Sequence, residues 1–192
     1  MPHSSGHRNP QLCSFVQFVL TMRILIFTEG TILTHRSHIG LPREKIVELV
    51  KSRKDLFEVN YFAHCVPIGN SAARIKGWKG QGATILYLTS RRASQEVQTI
   101  KNILAEYGFP DGELFFRKEG EEYKDVAERA LPDVIIEDDC ESIGGEEEMT
   151  YPHIRRHLKS RIKSIVVKEF GGIDHLPERI SDLLNYGEKS GE

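Results

Sequence analysis

Between residues 23 and 168, short β-branched runs alternate with stretches whose apolar residues recur at helical spacing, and this alternation constrains the fold more than any other feature. Five runs read as strands: Arg23 to Phe27, Thr84 to Leu88, Glu113 to Phe116, Asp133 to Glu137 and Ser164 to Lys168, each bounded by Gly, Pro, charge or a capping residue. Ser94 to Tyr107 places Val97, Ile100, Leu104 and Tyr107 on one helical face, with Gly108 just beyond the end. Helices are also predicted for Glu121 to Ala130, Tyr151 to Ile162 and Leu176 to Tyr186. Asn70 or Ser71 caps one more, carrying Ala72, Ile75 and Trp78 into the core. Strands and helices in this order bury a mainly parallel sheet between two helical layers, so the expected fold is an α/β three-layer sandwich on five strands.

One stretch breaks the rhythm. Ile32 to Pro67 is too long for a connection, and Pro42 to Lys54 groups Ile46, Leu49 and Val50, so a small helical insertion is expected at about residues 33–66. Residues 1–21 read as a disordered or over-extended segment ahead of Met22, with only a partial match to a signal peptide. The domain is expected to span 22–187, and 188–192 to be a frayed tail.

Composition narrows the function. At 192 residues the chain suits one domain, and 39% hydrophobic with 28% charged residues is a globular balance. A formal net charge of -2 lacks the positive field of a generic nucleic-acid binder. Cys13, Cys65 and Cys140 form no CxxC pair, which argues against a disulfide scaffold or a thiolate zinc site and favours a reducing cytoplasm. No apolar run approaches the roughly 18 residues of a spanning helix, so no membrane partner is expected.

On open α/β sheets ligands gather beyond the carboxyl ends of the strands. The first strand ends in Phe27-Thr28-Glu29-Gly30-Thr31, the second in Thr89-Ser90-Arg91-Arg92 and the fourth in Glu137-Asp138-Asp139, while Lys124 precedes that fourth strand. Hydroxyls, a glycine that admits backbone N–H groups, and cations suit a phosphoryl group, whereas carboxylates suit Mg²⁺. Each motif also has a plain structural reading. Thr89 and Ser90 would cap the next helix, Lys124 would pair with Glu121 or Glu128, and Asp138 and Asp139 would form a solvated turn unless a cation relieves them. His153 and His157 are four apart on a predicted helix without a third zinc ligand, and His35, His38 and His64 fall in the insertion.

From Met22 to Lys168 the order of these motifs resembles the haloacid dehalogenase (HAD) superfamily, especially its phosphatase and nucleotidase branch with small helical caps. Ile24 to Leu33 looks like the first motif, a strand running into Asp-x-Asp-Gly-Thr-Leu. Ile85 to Arg91 looks like the second, Lys124 like the superfamily lysine, and Ile135 to Asp139 like the terminal acidic motif. The resemblance implies a Mg²⁺ cofactor held by Glu29, Asp138 and Asp139. It also implies a small phosphorylated molecule or nucleotide held by Thr31, Thr89, Ser90, Arg91 and Lys124.

The departure from that pattern is chemical. Anchored on Gly30-Thr31, the nucleophile's position holds Phe27, which has no lone pair to attack phosphorus and no oxygen for a metal. Glu29 stands at the acid/base position with one methylene more than Asp. Three routes stay open: a binding relative without catalysis, a shifted register with Glu29 as nucleophile, or Glu29 as general base for a metal-held water. A non-catalytic interaction or scaffold protein is the alternative.

Overall fold

Arg23–Phe27, the first strand (β1), is buried on both faces at its centre, as the unbroken Ile24-Leu25-Ile26 run requires of a strand in the middle of a parallel sheet. The chain is described by a computed structural model over residues 21–52 and 61–187. The expectations for residues 1–20 and 188–192 lie outside the described residues.

Six more strands follow: β2 (Leu33–His35), β3 (Cys65–Pro67), β4 (Thr84–Leu88), β5 (Glu113–Phe115), β6 (Val134–Asp138) and β7 (Lys163–Val167). The main sheet runs β5-β4-β1-β6-β7, and every pairing is parallel. The expected five strands thus form the expected sheet, displaced by a residue at most where they differ. The helices are α1 (Arg43–Lys51), α2 (Ser71–Gly80), α3 (Ser94–Glu106), α4 (Tyr123–Ala130), α5 (Arg156–Lys159) and α6 (Ile180–Leu183).

Strand alternation sorts the core into two layers. Ile24 and Ile26 of β1, with Ile85 and Tyr87 of β4, face α2 and α3, where Ile75, Trp78 and Ile100 are fully buried. Leu25 of β1 with Leu86, Leu88 and Ile135 face α4, and Phe27 packs against this second layer. Trp78 donates its indole N–H to Pro177 O at 2.9 Å, and Asp174 accepts the backbone N–H of Asn70 at 2.9 Å, so the C-terminal segment is tied across α2.

Three local expectations change. The insertion is not purely helical, because its ends pair as the antiparallel strands β2 and β3, with α1 between them. Tyr151–Ile162 is not one helix. Tyr151–His153 forms a 3-10 turn, Ile154 is extended and buried, and only α5 is helical. The cause is the buried Glu137 carboxylate, which accepts the backbone N–H groups of Thr150 at 2.7 Å and Tyr151 at 2.9 Å and fixes the chain's entry. His153 and His157 therefore share no helix face, which removes their zinc spacing. Leu176–Tyr186 shortens to α6, because Pro177 and Glu178 offer their carbonyls to Trp78 and Gln81 instead of a helix ladder. No helix among the described residues is long and apolar enough to cross a membrane.

Candidate functional site

The carboxyl ends of β1, β4 and β6 open on one cleft of about 380 Å³, within the range of small-ligand sites. Phe27, Glu29, Ser90, Arg91 and Asp138 all line it, so the residues expected at three separate strand ends do meet.

The turn after β1 is set by Gly30. Its φ of +82° is a left-handed conformation, and a Cβ there would lie 2.8 Å from Asp138 Oδ2, so glycine both permits the turn and leaves room for the Asp138 carboxylate. Thr28 and Thr31 are fully buried, and the Thr28 carbonyl accepts the amides of Ile32 and Leu33 to close the turn.

Glu29 turns toward β4. Thr89 Oγ1 donates to Glu29 Oε1 at 2.6 Å, the amide of Ser90 donates to Oε2 at 3.1 Å, and Thr28 Oγ1 donates to Oε2 at 2.6 Å. Arg91 adds an ion pair, with its Nε 3.5 Å from Oε1. Thr89 and Ser90 do not cap α3, whose N-cap is Ala93; the Thr89 hydroxyl instead accepts the amide of Arg91.

Asp138 is 6% exposed. Thr31 Oγ1 donates to its Oδ2 at 2.7 Å and the amide of Cys140 to its Oδ1 at 3.0 Å. Burial nevertheless dominates and raises its carboxyl to about 6. Thr31 thus serves Asp138 and does not face a ligand. Cys65 and Cys140 also line the cleft, and burial pushes the Cys65 thiol up to about 12 and Cys140 upward too, so neither is a thiolate nucleophile at neutral pH.

Two expected ligands lie elsewhere. Asp139 follows Asp138 on an extended chain and so faces the opposite way. It accepts Lys168 Nζ at 2.9 Å and the amide of Glu169 at 3.0 Å. Burial would raise its carboxyl, but Lys168 and that amide hold it below the ordinary value. The cation that relieves this acidic pair is therefore Lys168. Lys124 is half-buried, pairs with the exposed Glu122 at 2.5 Å and borders a separate surface hollow beside Glu147 and His153. Tyr123, its neighbour on α4, takes the cleft side.

The donors do not fit Mg²⁺. Phe27 brings no oxygen, Asp139 faces away, and both Glu29 oxygens are engaged by hydroxyl and amide donors, which leaves Asp138 alone of the expected set. Among the described residues no group of three or more His, Cys, Asp or Glu is placed to hold a metal ion.

In place of a metal cluster the cleft carries aromatic and guanidinium groups, of which the sequence pointed to Phe27 and Arg91 alone. Phe27 meets Tyr123 edge to face, with ring centroids 5.6 Å apart. Arg117, two residues beyond β5, lies 3.7 Å over the Tyr123 ring and donates to its hydroxyl at 3.1 Å. Arg91 lies 3.6 Å over the Phe62 ring. Burial lowers the Arg117 pKa, with Glu148 opposing it only as a charge beyond ion-pair contact. Its buried Nε has no hydrogen-bond acceptor. Tyr61 and Phe170 extend the aromatic wall. Glu169, after β7, is 5% exposed and accepts both the amide and hydroxyl of Ser142 at 2.6 Å, bracing the far rim. The strand-end rule that located Glu29 and Asp138 points equally to Arg117 and Glu169.

Comparison with known proteins finds no matching family model and no matching curated protein. Among solved structures the chain is similar to a haloacid dehalogenase-like family hydrolase from Streptococcus pneumoniae, at 16% identity and TM-score 0.48, covering 87% of this chain and 91% of that one. It is also similar to a HAD family hydrolase from Deinococcus radiodurans R1 with bound phosphate and sodium, at 8% identity and TM-score 0.41, covering 78% of this chain and 92% of that one. A chain of the Pnkp1/Rnl/Hen1 RNA repair complex aligns at 12% identity and TM-score 0.47, covering 84% of this chain; the present chain spans only 48% of it. These likenesses are too distant to carry a function, which rests on the cleft.

Proposed function

We propose that this chain is a HAD-like domain that binds a small phosphorylated molecule of the nucleotide class and does not hydrolyse it, working in a reducing cytoplasm where Cys65 and Cys140 stay free thiols. The observation that carries the reading is Phe27, a ring packed edge to face on Tyr123 at the mouth of the cleft where a phosphohydrolase needs an attacking carboxylate. Two arginines stacked on rings, beside the half-buried rings of Tyr61 and Phe170, suit a planar base on the walls and a phosphate between Arg91 and Arg117. Metal chemistry is no part of the reading, because the donor set does not fit the ion.

Thermal melting with a nucleoside monophosphate tests it. Ligand at one hundred times its dissociation constant adds about 2.7 kcal/mol, a rise in Tm of roughly 5 to 10 °C for a domain of this size. Arg117→Gln should weaken binding about tenfold, the loss of one charge-assisted phosphate contact. A melting temperature that no phosphorylated compound moves would overturn the reading and favour an interaction protein.

A further inference from the structure

The donors at the end of β4 already hold an anion, and it belongs to the chain. Thr89 Oγ1, the Ser90 amide and the Arg91 guanidinium come from one short segment and converge on the two oxygens of Glu29, which comes from the neighbouring strand end. Hydroxyl, amide and guanidinium converging on paired oxygens is what a phosphoryl group asks of a site. The site is built rather than incidental: Thr89 is fully buried, Thr28 is fully buried behind the carboxylate, and the Glu29 side chain is only 17% exposed. An aspartate would fall about 1.5 Å short of this reach, so the extra methylene of Glu29 is what carries the carboxylate across from β1 to β4.

We infer that Glu29 is an internal plug: its carboxylate fills the anion site of Thr89, Ser90 and Arg91, excludes free phosphate, and yields only to a phosphorylated ligand whose ring contacts compensate its displacement. This rests on the binding reading above and adds the selectivity of the same cleft. Inorganic phosphate brings no ring, so it meets the full repulsion of a carboxylate that is hydrogen-bonded to Thr89 and Ser90 and ion-paired with Arg91, whose guanidinium donates to Ser90 Oγ. A nucleotide brings ring contacts along the aromatic and guanidinium wall of the cleft, which support its phosphate as Glu29 swings out.

Calorimetric titration of inorganic phosphate, without metal, into wild type, Glu29→Ala, Glu29→Gln and the double variant Glu29→Ala with Thr89→Val tests the inference. Wild type should take up phosphate only weakly, and Glu29→Ala should bind it about tenfold or more tightly. Glu29→Gln should gain about threefold, since it removes the charge and keeps the volume. The double variant should fall back toward wild type, because the hydroxyl donor is gone. Equal phosphate affinity in wild type and Glu29→Ala would overturn the plug. Should Glu29→Ala lose its fold by circular dichroism, an unchanged affinity in Glu29→Gln would overturn it instead. A nucleoside monophosphate titrated into wild type separates the two claims: binding there without a gain in Glu29→Ala defeats the plug alone, while a gain for phosphate with no nucleotide binding defeats the nucleotide reading alone.

Discussion

Replacing Asp138 by asparagine should stabilise the protein at neutral pH, and the gain should grow as the pH rises. Burial lifts the Asp138 carboxyl from an ordinary 3.8 to about 6 even though Thr31 and the amide of Cys140 donate to it. A carboxyl whose pKa is raised by folding binds its proton more tightly in the native state. Its contribution is fully present below about pH 4 and is lost as the pH climbs through about 6, because the native state must then hold a desolvated charge. A rise of about two pH units corresponds to roughly 3 kcal/mol. Asparagine avoids that charge and still fits both partners, its carbonyl accepting the Cys140 amide and its NH2 donating to the Thr31 hydroxyl, which is free to rotate. Urea denaturation of both proteins from pH 4 to pH 8 should show the variant's advantage growing by up to about 3 kcal/mol. A difference that is flat or shrinks with rising pH would refute the reasoning, and so would Mg²⁺ abolishing it in wild type, since a bound cation would keep the carboxylate ionised without cost.

Glu137→Leu should lower stability by about 2 to 6 kcal/mol in urea, because it strands the amides of Thr150 and Tyr151, each worth about 1 to 3 kcal/mol when left without an acceptor. Lys124→Ala should leave nucleotide affinity unchanged within about twofold and stability within about 0.5 kcal/mol, since a solvent-accessible pair with Glu122 contributes little; a large loss of affinity by titration would return Lys124 to the site.

The central sheet was legible because its strands are buried on both faces and must be continuous β-branched runs: the bounds of β1 and β4 follow from the sequence to the residue. The three-residue strands β2 and β3 leave no such signal, because Leu33-Thr34-His35 and Cys65-Val66-Pro67 are too short for periodicity to show. The 151–162 segment has helical composition, but a single long-range acceptor, Glu137, overrides it. At the site, the meeting of Glu29, Ser90 and Asp138 follows from strand-end position alone. The direction of each side chain does not. Asp139 lies one residue on and points away, Lys124 sits one residue from Tyr123 and misses the cleft, and Glu29 bonds across to β4 through a reach that only coordinates reveal. Arg117 obeys the same rule, two residues past β5, but a lone arginine after a three-residue strand has no motif around it to mark it.

The most direct measurement is phosphorus NMR of a nucleoside monophosphate mixed with the protein and Mg²⁺. The account predicts that the monophosphate resonance shifts or broadens as protein is added, that Arg117→Gln weakens the change, and that no inorganic phosphate resonance grows. Inorganic phosphate accumulating in proportion to protein concentration, and ceasing in Glu29→Gln, would contradict it and make Glu29 a working catalytic group.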